Sequence, residues 1–200
     1  MLVFGHIGLT LGLARALHRQ IDARWVAVVS MLPDLIDKPL QYVIAPAFTH
    51  GNTRTVGHSL TVMLVCMVLV AFPLRRTIRA ARVVALLLPC HWLFDSMWKP
   101  AERVSLLWPW AGNHFAPAHD SGVQAFGANL LSDLYDPVYL LGELGGLLVL
   151  GFFWYWCGLG DTTRRARLWR TGALLPFRRD HGHGASGVRG ASPAARGLST

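Results

Sequence analysis

Five apolar runs, separated by clusters of arginine, constrain this chain more than any single motif. They cover residues 2–17, 25–36, 56–74, 83–98 and 138–159. The third and fifth approach the roughly 20 residues a helix needs to cross a hydrocarbon core. The fourth is somewhat short, and the first two are marginal enough for one or both to lie half-buried rather than span. Strand signals are weak, and backbone in lipid must satisfy its own hydrogen bonds, which leaves helices unless a barrel closes. The expectation is an all-α integral membrane bundle of about five short helices with a long outer loop. Gly5, Gly8 and Gly12 give the first run a small-residue face for close packing. Pro89 predicts a kink in the fourth.

Charge supports the same reading. Hydrophobic residues make up 52% of the chain and charged ones 15%, against about 25% charged in soluble domains. A net charge of +8 spread over a polar surface would suggest nucleic acid. Here the basic residues fall between apolar runs, so topology explains them and no nucleic-acid partner is expected. Arg15, Arg19 and Arg24 separate the first two runs; Arg75, Arg76, Arg79 and Arg82 separate the third and fourth; Arg164, Arg165, Arg167 and Arg170 follow the fifth. The other connections hold only Lys38, Arg54, Lys99 and Arg103. By the positive-inside rule the arginine-rich connections are cytoplasmic, the N-terminus outside and the C-terminus inside. That describes a multi-pass protein of the inner (cytoplasmic) membrane with the lipid bilayer as its partner.

Residues 1–175 read as one membrane-embedded helical domain. From about Pro176 the chain turns rich in Gly, Ala, Ser and Arg, which predicts a disordered basic tail over 176–200. No internal repeat is visible. Cys66, Cys90 and Cys157 each lie inside an apolar run without paired spacing, so they read as small buried hydrophobes rather than a disulfide or thiolate-metal framework. Met1 to His6 carries no basic residue and Arg15 comes after the apolar stretch, the reverse of a signal peptide's charge order. Trp98, Trp108 and Trp110 suit the outer membrane–water interface.

The ionisable residues gather on that topology. His6 opens the first run, Asp34 and Asp37 close the second, and His58 begins the third. His91 and Asp95 lie in the outer half of the fourth, and Glu143 lies near the start of the fifth. All fall on the outer side, although the topology was set by arginine alone. His91 and Asp95 are four apart, so they share one helix face, as Asp34 and Asp37 do at a spacing of three; Pro33 is tolerable in a first turn. Neutral imidazoles with carboxylates are ligands for a divalent metal, zinc above manganese or iron. Each residue also has a plainer reading. His91 and Asp95 could hydrogen-bond between helices, Asp34 and Asp37 could cap a helix end, His58 could neighbour a cap at Ser59, His6 could be solvated, and Glu143 could bond to a neighbouring helix. His50, His114 and His119 sit on outer loops where exposure is the simpler reading. His18, His181 and His183 lie on the other side and are set aside.

Taken in order, these elements resemble a family. A histidine near the N-terminus (His6), the run Leu32-Pro33-Asp34-Leu35-Ile36-Asp37, the pair His58-Ser59, the stretch His91 to Asp95 and the later Trp108-Pro109 are similar to the YdjM-like membrane-bound metal-dependent hydrolases. The likeness covers roughly residues 1–159. More remotely, the pattern resembles the all-helical zinc-dependent phospholipase C and nuclease superfamily. Before His58 the family pattern reads His-Arg-Gly-x-Thr, whereas this chain has Thr53-Arg54-Thr55-Val56-Gly57; His50 is the nearest substitute for the histidine replaced by Thr53.

The resemblance implies a hydrolase, and the site suggests a phosphoester in a lipid or lipid-linked substrate, attacked by metal-activated water. In that reading His6, Asp34, His58, His91, Asp95 and Glu143 are metal ligands, Asp37 is a ligand or base, and Arg54 contacts phosphate. Two alternatives stand beside it: a catalytically silent metal-binding membrane scaffold, and a cation carrier.

Overall fold

A computed structural model describes residues 3–18, 21–74, 87–115 and 123–176. The cluster Arg75, Arg76, Arg79 and Arg82, the opening of the fourth run at 83–86, His119, and the tail from 177 with His181 and His183 lie outside the described residues. Among the described residues the chain is helical, with one isolated bridge between Asp22 and Ala173 and no strand. In chain order the helices are α1 (Val3–Leu17), α2 (Ala23–Pro39), α3 (Pro46–Thr49), α4 (Leu60–Leu74), α5 (described over 87–94), α6 (Arg103–Leu106), α7 (Phe126–Tyr135), α8 (Pro137–Trp156) and α9 (Thr162–Thr171).

Local chemistry sets several of these ends. Asp22 caps α2 by accepting from the Arg24 amide. Asp136 caps α8, accepting from the Val138 and Tyr139 amides, while Pro137 fills the first position, where no donor is needed. Asp161 caps α9, and Gly172 ends it at a φ of 68°, the left-handed conformation glycine adopts freely.

Two sequence expectations change here, and one element is new. The second run continues as helix to Pro39 and then into a π-helical turn at Leu40–Ile44, so Pro33 lies inside α2 rather than in a first turn. The outer stretch between the fourth and fifth runs is not all loop but contains α6 and the ten-residue α7. The arginines after the fifth run lie on a helix, α9. Pro89 is the third described residue of α5, so the turn it would bend lies outside the described residues.

The small-residue face of the first run does what its spacing suggests. A Cβ on Gly8 would run into the backbone of Gly146, and one on Gly146 into the carbonyl of Phe4. Only glycine at both positions lets the two backbones touch. A Cβ on Gly12 would meet Val149 at 3.2 Å, and the Arg15 guanidinium lies 5.3 Å from the Trp156 ring. These contacts advance together along both helices, so α1 and α8 run parallel.

The distribution of polarity is inverted relative to a water-soluble domain. Buried side chains include His6, Thr10, Asp34, Asp37, His58, His91 and Asp95, whereas Leu64, Val68, Leu69, Leu141, Leu148 and Phe152 are exposed. Large apolar side chains exposed in this number mark an interaction surface. α8 is the one described helix both long and apolar enough to cross a membrane; α1 and the first ten residues of α4 are shorter apolar helices.

Candidate metal centre

The site is built where α2 and the segment leading into α4 are fastened together. The chain turns at His50 and Gly51, both with positive φ, and Asn52 accepts from the Arg54 amide at 2.7 Å. It then passes hard against α2 at Gly57, where a Cβ would sit 2.5 Å from the Pro33 carbonyl oxygen and 2.9 Å from Ile36 Cβ. Glycine is required there by lack of space. The approach brings three amides of the segment to Asp37. One carboxylate oxygen accepts from Gly57 N (2.7 Å) and Thr55 Oγ1 (2.9 Å), the other from Thr55 N (2.7 Å), His58 N (3.2 Å) and His58 Nδ1 (2.7 Å). Asp37 is fully buried. The sequence makes Asp37 a ligand or base; here both its oxygens are engaged by five donors, and it stands outside the group of Asp34, His58, His91 and Asp95. It positions His58.

The remaining groups converge beside it. Asp34, His58, His91 and Asp95 each offer one ligand atom, these atoms all lie within 4.8 Å of one another, and all four residues are buried. Asp95 Oδ2 is 3.1 Å from His58 Nε2 and 3.7 Å from His91 Nε2. Asp34 Oδ1 is 4.0 Å from His58 Nε2. His6 stacks on His91 with ring centroids 4.0 Å apart, and its Nε2 lies 3.2 Å from Asp95 Oδ1. Neither ring nitrogen of His6 has a well-aligned hydrogen-bond partner, although the residue is fully buried.

Proton positions decide whether this group fits a metal. His91 Nδ1 is 2.7 Å from the Ser30 carbonyl, which can only accept, so Nδ1 carries the hydrogen. His58 Nδ1 likewise faces the Asp37 carboxylate. In neutral rings both Nε2 atoms then present lone pairs, and they face each other at 3.0 Å with two carboxylates alongside. Such an array is relieved by positive charge placed in it, either a second proton on His58 shared with Asp95 and His91 or a metal cation. A doubly protonated His58 would satisfy only part of it. Two nitrogens and two carboxylates are a donor set for zinc, manganese or iron.

Two cations border the centre. Lys38 Nζ pairs with Asp34 Oδ2 at 2.9 Å. Arg54 lies 3.4 Å from Asp95 and 3.6 Å from Glu102, and donates to the Tyr139 hydroxyl at 2.6 Å. Burial works against the charge on Arg54, but Asp95 first, then Tyr139 and Glu102, outweigh it and hold the guanidinium above its ordinary pKa. Lys38, Glu102 and Tyr139 were not singled out from the sequence. For Lys38 there was a signal, its i,i+4 spacing from Asp34; for the other two there was none.

Glu143 is buried, but it accepts from the Phe4 and Gly5 amides at 3.0 Å each. It completes the first turn of α1 instead of joining the four-residue group, because the Gly8–Gly146 contact leaves it facing the open amides of a helix start. His50, the substitute considered for the residue at Thr53, is exposed, and so is His114.

A family model described as YdjM inner membrane protein matches residues 1–175. The chain belongs to that family. No curated protein and no solved structure matches it. Family membership makes it an inner membrane protein by description, and the buried His/Asp group is compatible with metal binding. The YdjM resemblance read from Leu32–Asp37, His58-Ser59 and His91–Asp95 therefore holds over nearly the whole described chain.

Proposed function

We propose that this YdjM-family chain is a multi-pass, metal-dependent hydrolase of the inner membrane, with its centre at the outer face and acting on a phosphoester of a lipid or lipid-linked substrate. The observation that carries the metal reading is the convergence of His58 Nε2 and His91 Nε2, 3.0 Å apart, with Asp34 and Asp95 in one buried group. The inverted polarity of the bundle supports membrane residence. The parallel run of α1 and α8 suits two odd-numbered passes in one direction, and the arginines at their far ends suit a cytoplasmic location there.

A divalent ion, zinc first, held by Asp34, His58, His91 and Asp95 with His6 adjoining, supplies Lewis acidity and a water of lowered pKa. Asp37 orients His58 through the Nδ1 hydrogen, as carboxylate partners of ligating histidines do. Lys38 and Arg54 are the cations available to phosphate oxygens, and Arg54 can meet two of them at once. Hydrolysis adds water across the P–O bond: the hydroxyl goes to phosphorus and the proton to the departing oxygen.

One observation favours a silent metal scaffold instead. Arg54 is already tied to Asp95, Glu102 and Tyr139. A cation carrier finds less support, because the described core at the opposite end is Leu11, Ala14, Val26, Val29 and Leu87, with no relay along it. Elemental analysis of the detergent-purified protein, paired with hydrolysis of bis(p-nitrophenyl) phosphate, tests the reading. Near-stoichiometric metal that His91→Ala abolishes, together with ester cleavage, is expected. Metal without cleavage of any phosphoester would leave the scaffold, and no metal at all would end both.

A further inference from the structure

A cavity of about 590 Å³ opens directly onto the metal centre. At one end its wall is Asp34, Lys38, Arg54 and Asp95, with Asp133 of α7 close enough to act on Lys38; the rest is mostly apolar and includes Leu35 of α2, Val43 of the π-helical turn, and Phe126 and Leu130 of α7. These four side chains are partly exposed, so the apolar part is an open-sided groove rather than a sealed void. Its polarity is graded from one end to the other. A compact hydrophilic phosphoester would leave the long apolar part without a function, while Lys38 and Arg54, already paired with Asp34 and Asp95, are the donors an anionic group at the other end would meet.

We infer that this groove is the binding site for the hydrocarbon chain of a lipid phosphate. The phosphate meets Lys38 and Arg54, and the chain lies between Leu35 and Val43 on one side and Phe126 and Leu130 on the other. The inference rests on the hydrolase reading for the phosphate end, and the groove itself stands on its lining residues. It also gives α7 a task. The helix carries the far wall of the groove, in a stretch whose sequence reads as outer loop.

Two measurements on the detergent-solubilised, metal-loaded full chain test it. The first compares kcat/KM for methyl p-nitrophenyl phosphate and hexadecyl p-nitrophenyl phosphate. Burial of several methylenes should favour the long ester by more than about tenfold. Leu130→Gln should pull that ratio toward one, whereas Leu148→Gln, on the exposed face of α8, should not. The second photolabels the protein with hexadecyl phosphate bearing a diazirine near the chain end. Label is expected in the peptides holding residues 35–43 and 126–135, and excess unlabelled hexadecyl phosphate should remove it. If neither ester is cleaved yet the label enters the groove, the chain site stands and the hydrolase reading falls. Should both esters be cleaved at equal efficiency with label confined to α8, the hydrolase stands and the chain site is overturned.

Discussion

The same helices build both ends of this bundle from opposite materials. α1 gives His6 and Thr10 to one end and Leu11 and Ala14 to the other; α2 gives Asp34 and Asp37 to one and Val26 and Val29 to the other; α5 gives His91 to one and Leu87 and Leu88 to the other. At the apolar end the residues are interchangeable in kind, and packing is all that holds them. At the polar end every buried group needs a particular partner, because an unpartnered one costs about 1–3 kcal/mol or more. Asp34 is paired there with Lys38, Asp95 and Glu102 with Arg54, and Asp37 with His58. The difference teaches that the polar end is a specific site supported by a non-specific one. Its tolerance to change should be correspondingly narrow.

The strongest way to break the comparison is to remove what both ends share. Gly8→Leu forces a side chain into the Gly146 backbone, separating α1 from α8 along their length, and should cost more than about 3 kcal/mol. We expect loss of the folded species on size-exclusion chromatography in detergent together with loss of bound metal. A well-folded Gly8→Leu protein with unchanged melting would mean the two helices do not meet.

Asp95→Ala should act on one end only. It removes the carboxylate shared by His6, His58 and Arg54, leaving Arg54 the Glu102 pair and the Tyr139 hydroxyl, and metal content should fall to background. Leu88→Ala at the other end should cost about 2–5 kcal/mol of thermal stability while leaving metal per folded protein unchanged. Metal loss in Leu88→Ala matching that in Asp95→Ala would erase the distinction between the ends.

Smaller changes sharpen the picture within the polar end. Asp37→Asn keeps the shape but weakens its hold on His58, and should lower metal affinity about 10- to 100-fold, read by competition with a chelator. Were Asp37 instead a free base, the variant would keep its affinity and lose only hydrolysis. Glu143→Gln should lower stability by about 1 kcal/mol, since two amides of α1 keep a weaker acceptor. Metal content is expected to hold, and its collapse would return Glu143 to the ligands.

Periodicity and composition in the sequence determined the helical class and the close-packing glycine face of α1, because these depend on spacing within one element. Asp34, His58, His91 and Asp95 were legible in the same way, each standing near the end of an apolar run. The tertiary structure alone decided the division of labour between Asp34 and Asp37, which share a helix face and differ only in what is packed against them. That difference comes from the segment around Gly57, pressed onto α2 from some twenty residues away, which delivers its amides to one carboxylate and leaves the other turned toward the histidines. Glu143 became a helix cap for the same kind of reason: its partners, Phe4 and Gly5, lie at the far end of the chain. Spacing sets which way a side chain points, and only long-range contacts set what it meets.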